Sequence, residues 1–267
     1  MNEAPLQKTS DAINLKKVVK QFGGQLVLDA VDFAIAPHEF VSLVGPSGCG
    51  KSTLLRLIAG LETIDSGSLS LPLIGRQKNP STQGNQSAQI GETAFVFQES
   101  NLLPWLSAFD NVALPFRITG RPVDRDLIES TLDTVGISAA EFAKLPKHLS
   151  GGMKMRISIA RALVLKPKVL LMDEPFAALD DLLRTQLNEE LLRIWAGDKL
   201  TIVFVTHNIS EAIFMSQRVA VMGADPGRIH DVIPVSFDYP REKSLKSSSD
   251  FAKCFARVSQ LLEETNR

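Results

Sequence analysis

Apolar positions along this chain follow two rhythms. Short runs suited to strands come first, at Asn14–Val19, Val31–Ile35 and Glu39–Val44. The third ends in Gly45, and a helical pattern begins at Lys51. Strand, Gly-rich turn and helix in that order open an α/β unit. Thr93–Phe97 predicts a further strand. From Leu106 to about Lys147 the pattern is mainly helical, with breaks expected at Pro115, Gly120–Pro122 and Gly136. Gly152–Lys166 brings Met153, Ile157, Ala160 and Val164 to one helical face. Val169–Met172 and Leu200–Thr206 are apolar runs, as expected of parallel strands buried on both faces. Asp250–Glu264 spaces Phe251, Phe255, Val258 and Leu262 as a docking helix would. Residues 1–12 read as a loose tail and 75–92 as an exposed polar loop. No repeat or heptad pattern runs through the chain.

Composition narrows the class. The 267 residues suit one large domain or a domain with a subdomain, and 44% hydrophobic with 22% charged content is ordinary for a globular protein. A formal net charge of −1 argues against nucleic acid as a partner. Cys49 and Cys254 lie too far apart in sequence to suggest a metal-ligand motif or a disulfide framework. No apolar run approaches the ~18 residues of a membrane-spanning helix, and the polar N-terminus does not read as a signal peptide. Any membrane role therefore calls for another subunit to cross the bilayer.

The chemistry is concentrated in two segments. Gly45, Pro46, Ser47, Gly48, Cys49, Gly50, Lys51, Ser52 and Thr53 match G-x-x-x-x-G-K-[ST], a phosphate-binding loop. Small residues let backbone N–H groups wrap a phosphate chain, and the following helix adds its N-terminal dipole. Lys51 suits the β- and γ-phosphates and Ser52 a Mg²⁺ ion. Chance produces such a match in on the order of one chain in a hundred of this length. Downstream, the apolar run from Val169 ends in Asp173 and Glu174, at the edge where open α/β sheets bind ligands. Asp173 is the candidate Mg²⁺ holder and Glu174 the candidate general base. Leu149-Ser150-Gly151-Gly152-Met153 opens a helix, and the residues alone allow either an N-cap or a second anion site.

That Leu-Ser-Gly-Gly-Met segment, lying between the two motifs, resembles the signature of ABC ATPases. Other landmarks follow in order: Gln98 resembles the Q-loop glutamine, Ala178-Leu179-Asp180 the D-loop, and His207 the switch histidine. Phe22 stands where the family places an aromatic that stacks on adenine. The resemblance covers about residues 13–235. It implies an α/β fold with a P-loop NTPase core of the ABC type, an antiparallel β subdomain, and a helical subdomain inserted at about 99–165. Residues 236–267 would form a C-terminal helical extension. The resemblance also implies ATP and Mg²⁺ as ligands, with Ser52, Gln98 and Asp173 about the metal and Glu174, His207 and Gln98 in catalysis. Family members pair head to tail, so Ser150, Gly151, Gly152 and Asp180 would serve ATP held by a partner, in the simplest case a second copy. Met153 departs from the usual Gln, and Phe22 from the frequent Tyr.

Glu99 to Asn111 carries Leu102-Leu103-Pro104-Trp105, and Asp225-Pro-Gly-Arg-Ile229 follows later. Both resemble the nitrate, sulfonate and taurine uptake subfamily. The resemblance implies integral permease subunits, indirectly a solute-binding protein, and a peripheral place on the cytoplasmic face of the membrane. Repair ATPases of the same class insert coiled coils or zinc modules, for which the segment between Lys51 and Ser150 has neither heptads nor Cys pairs. Cofactor-assembly ATPases of similar size generally lack the two subfamily features. The bland expectations are a surface place for His38, His148 and His230, core packing for Trp195 and Met172, and a small loop-filling role for Cys49, with sensitivity to thiol reagents as its alternative.

Overall fold

The computed structural model describes residues 12–72, 76–78, 91–177, 179–198, 200–224 and 226–265. The expected tail up to residue 11, most of the expected polar loop, Ala178 and Asp225 lie outside them. Two sheets carry the fold. A four-stranded antiparallel sheet has the order β2 (Gln25–Ile35), β1 (Ile13–Phe22), β4 (Ser66–Leu71), β5 (Arg76–Lys78). The second has the order β10 (Arg228–Pro234), β9 (Arg218–Gly223), β3 (Phe40–Val44), β8 (Thr201–Val205), β7 (Val169–Asp173), β6 (Thr93–Val96). It is parallel except for β10, which pairs antiparallel with β9 at one edge.

Alternation along the parallel strands explains the layering. Val41 and Leu43, Val169 and Leu171, and Val203 and Val205 face the antiparallel sheet, with α1 (Lys51–Ala59) packed in the same core. Phe40 and Val44, Leu170 and Met172, and Ile202 and Phe204 face the helices on the other side. Each strand therefore buries both faces, and the central runs carry no polar alternation. The helical core includes α2 (Ala108–Thr119), α3 (Arg125–Thr134), α4 (Gly151–Leu163), α5 (Asp181–Asp198), α6 (Ile209–Met215) and α7 (Ser249–Thr265). Trp195 fulfils its expected core role: its ring meets Phe40 edge-on at 6.0 Å, and its indole N–H donates to the His38 carbonyl at 3.1 Å.

Two helical expectations are corrected. Pro115 does not break the chain; α2 runs through it. Proline removes one N–H bond from the ladder, but Val112, Ala113 and Phe116 are buried around it. Ser107 caps the start of the helix by accepting from the Asp110 N–H at 3.0 Å. On α7 the buried stripe is Phe251, Val258 and Leu261, whereas Phe255 is 39% exposed. The helix covers β9, β10 and α6 of its own chain. His38, His148 and His230 are exposed, as expected.

The antiparallel sheet is fastened to the phosphate-loop region through Gly227. Its N–H donates to the Val27 carbonyl and its carbonyl accepts from the Asp29 N–H, both at 3.0 Å. A Cβ at position 227 would collide with the Cys49 carbonyl and approach the Val27 carbonyl to 2.8 Å. Gly227→Ala is therefore expected to cost about 1–3 kcal/mol, as overpacking does, and to weaken ATP binding with it. Thermal unfolding and nucleotide titration measure both; an unchanged melting temperature and affinity would show slack at this contact.

Candidate active site

Parallel register brings the chemistry together. Asp173 is level with Val205 on β8, and Val205 with Leu43 on β3. Beyond the strand ends the pairing continues: the Glu174 N–H donates to the Val205 carbonyl at 3.0 Å, and the Thr206 N–H to the Leu43 carbonyl at 3.3 Å. The loops after β3, β7 and β8 thus leave the sheet side by side.

The loop after β3 is a cradle. Gly48 and Gly50 have φ of 83° and 92°, a region that side chains disfavour. At Gly50 a Cβ would also press Leu28 at 2.5 Å. Gly50 precedes α1 with no side-chain cap, so the helix opens on backbone N–H groups. Lys51 is only 7% exposed, and its ammonium donates to the carbonyls of Gly45 and Pro46, both at 2.8 Å. Ser47, Gly48, Gly50, Lys51, Ser52, Thr53 and Glu174 line a cavity of about 230 Å³. Cys49 is buried beneath the loop, and burial pushes its thiol above the usual range despite the nearby Lys51 charge, which counts against the alternative of thiol sensitivity.

Across the cradle, the Ser52 hydroxyl donates to Asp173 Oδ1 at 2.9 Å. Burial raises the Asp173 carboxyl above its ordinary value; the Ser52 bond opposes this, and the Glu174 charge adds to it. Glu174 holds a left-handed backbone, with φ of 45°. Such strain costs about 1–3 kcal/mol and persists where surrounding structure enforces it. Its Oε2 lies 3.1 Å from His207 Nδ1. A carboxylate so held at the cavity wall can accept a proton from a water facing the phosphate end.

The remaining expected residues do not all gather here. Phe22 ends β1 at a Gly23-Gly24 turn, its ring 45% exposed and the Lys20 ammonium 4.7 Å above it. Gln98 is exposed two residues past β6, and no hydrogen bond among the described residues draws it to Ser52, Asp173 or Glu174. Ser150 caps α4, accepting from the Met153 N–H at 3.2 Å, with Gly151 exposed beside it. Gly152 is buried against Leu183. Asp180 is exposed and accepts from the Leu183 N–H at 2.9 Å at the start of α5. None of these signature and D-loop residues lines the chain's own cradle cavity.

These features meet in the comparisons with known proteins. A family model described as "ABC transporter" matches residues 28–177, which include the cradle, the Leu-Ser-Gly-Gly segment and Glu174. The chain belongs to the ABC transporter family. It is 42% identical to a putative ATP-binding protein of Brucella abortus biovar 1 (strain 9-941), over 92% of this chain and 91% of that one. It is also 38% identical to the aliphatic sulfonates import ATP-binding protein of Bacillus subtilis (strain 168), over 95% of this chain and 94% of that one. A solved dimeric ATP-binding cassette in a post-hydrolysis state with ADP and Pi covers 85% of this chain and matches it with a TM-score of 0.73 at 29% identity. The chain is an ATPase of this family, with the expected P-loop core and its two subdomains.

Some organising residues carry no local sequence signal. Asn111 is fully buried, and its amide donates to the carbonyls of Leu103, Leu106 and Ser107 at 3.2, 3.1 and 3.0 Å. Arg161 of α4 donates to the Ser100 and Asn101 carbonyls at 2.9 Å each, tying the signature helix to the segment after Gln98.

The Glu174 geometry yields a direct expectation. Glu174→Gln retains ATP binding, because Lys51 and the backbone cradle are untouched. Hydrolysis falls by about 10²–10⁴, the usual worth of general acid–base catalysis. Paired measurements of nucleotide affinity and turnover check this; near-normal turnover would remove Glu174 from the reaction.

Proposed function

We propose that two copies of this chain pair head to tail and energise an importer for a small anionic solute of the aliphatic sulfonate class. The observation carrying the pairing is the separation just described. The cradle holds one half of a nucleotide site, while Ser150, Gly151 and Asp180 stand exposed elsewhere on the surface. In the pair, Lys51 and the cradle amides of one copy grip the phosphates, and Ser150 and Gly151 of the other close over the γ-phosphate. Phe22 offers its ring to adenine. Glu174 takes the proton of the attacking water, and His207 orients Glu174 through their contact.

The oxygen donors of Ser52 and Asp173 suit Mg²⁺, which is held by one or two carboxylates together with substrate phosphates. The buried Asp173 carboxyl, raised by desolvation, gains from a cation beside it. When bound, the ion would neutralise charge on the phosphates. Gln98 would join the set once the segment after β6 moves inward.

Partner choice rests on the segment after Gln98 and on relatives named for sulfonate import. Asn111 holds the 103–107 loop in a shape that leaves Trp105 70% exposed. Beside β6, a groove of about 360 Å³ is lined by Phe95, Phe97, Leu114 and Ile118 among others. An exposed aromatic and an apolar groove are each features that suit contact with a permease segment. No helix among the described residues is long and apolar enough to cross a membrane. The chain would therefore sit peripherally against its permease.

Two experiments test this reading. Lys51→Ala spoils the cradle and Ser150→Arg the signature. Mixed dimers then contain one doubly damaged site and one intact site. Mixing the two inactive proteins should restore hydrolysis, and ATP should drive association of wild type but not of Ser150→Arg. If Ser150→Arg pairs and turns over like wild type, the composite site is lost. For the permease, Trp105→Ala should keep the isolated ATPase rate and stability while sulfonate uptake by the assembled transporter falls. Normal uptake would move the docking surface elsewhere.

A further inference from the structure

The loop carrying His207 is held by a buried carboxylate that the chemistry does not use directly. Glu211 lies in the first turn of α6 and is 4% exposed. One oxygen accepts from the Thr206 hydroxyl at 2.5 Å, and the other from the Asn188 amide at 3.2 Å. Thr206 immediately precedes His207, and its hydroxyl also accepts from the Asn208 N–H at 3.0 Å. Asn208 in turn accepts from the Glu211 N–H at 3.1 Å. Thr206 is therefore bound to the carboxylate itself, and Asn208 to the Thr206 hydroxyl and the Glu211 backbone.

Asn188 brings in a second element. It is 1% exposed and sits on α5, the helix that Asp180 caps and whose Leu183 covers Gly152. The path Asp180–α5–Asn188–Glu211–Thr206–His207 therefore joins the exposed D-loop to the Glu174 contact inside one chain. A buried carboxylate is expensive unless its partners are kept. Burial raises Glu211 above its ordinary value, while Thr206, Asn188 and the charges of Arg184 and Lys246 pull it down.

We infer that Glu211 is a positioning residue for hydrolysis: through Thr206 it sets His207 against Glu174, and through Asn188 it makes that setting respond to the D-loop helix. The inference rests on the role proposed above for the Glu174–His207 pair.

The test removes one hydrogen bond at nearly constant shape. Thr206→Val should cut kcat for ATP by about tenfold to a hundredfold, the scale of a small misplacement of catalytic groups. ATP affinity should stay unchanged. Thr206→Ser, which keeps the hydroxyl, should restore the rate. The chain has 4 histidines, so the imidazole NMR signal of His207 can be followed directly. It should shift in Thr206→Val while those of His38, His148 and His230 stay in place. Asn188→Ala, cutting the path from α5, should shift the same signal if Thr206→Val does not fold. Wild-type kcat together with an unmoved His207 signal in either folded variant overturns the inference. Glu174→Gln separates the two levels. If it leaves the His207 signal unmoved, the underlying pair is wrong; if it moves the signal and Thr206→Val does not, only the positioning role falls.

Discussion

The lateral pairing of β3, β8 and β7 is the constraint on which the site depends. Parallel strands with matched register end at one edge, and the level set Leu43, Val205 and Asp173 places three loops next to each other. Two further backbone bonds, from Glu174 and Thr206, carry the pairing into those loops. A slip of one residue in β7 would turn Asp173 to the other face and send Leu170 and Met172 into the wrong core. The cradle and the carboxylates at the strand ends therefore inherit their placement from apolar packing on both sides of the sheet.

Charge is handled by placing opposites in one confined region. Lys51 is buried yet shares its protons with two carbonyls, so its desolvation is offset locally. Burial raises the Asp173 carboxyl and the neighbouring Glu174 charge adds to it, while the Ser52 bond and the charges of Arg56 and Lys51 act the other way. The left-handed backbone at Glu174 separates the two carboxyls in direction. Asp173 turns to Ser52, and Glu174 turns to His207.

What the sequence made legible follows from which constraints are local. A phosphate cradle needs small residues at consecutive positions, so Gly45 to Thr53 announces itself. Strands buried on both faces must be apolar throughout, so Val169–Met172 and Leu200–Thr206 stood out. Ser66–Leu71 did not, because alternating Ser and Leu signals a strand buried on one face only weakly. Pro115 misled because propensity yields to packing once neighbouring residues are buried. On α7, Phe251 and Phe255 fit one stripe by spacing, but the contact face centres nearer Phe251, Cys254 and Val258, leaving Phe255 at its margin. Asn111, Arg161 and Glu211 were invisible for a different reason. Each is defined by partners that the fold brings together, such as Asn188 and Glu211 across 23 positions.

The Leu-Ser-Gly-Gly segment shows why its two sequence readings need not compete. Ser150 uses one acceptor position on the Met153 N–H, and a hydroxyl retains a second lone pair and its own proton. A capped helix start can thus still donate to an incoming phosphate, with the helix dipole aligned to favour it. Gly151 beside it has open space where a Cβ would sit, whereas Gly152 is closed off by Leu183. The first glycine leaves its surroundings open, and the second lets α4 and α5 touch. Because that contact joins the signature to the helix capped by Asp180, any rigid shift of α4 against a neighbouring subunit would reach α5 without an intervening loop. A surface feature that reads as a simple cap is in this way mechanically continuous with the loop that carries His207.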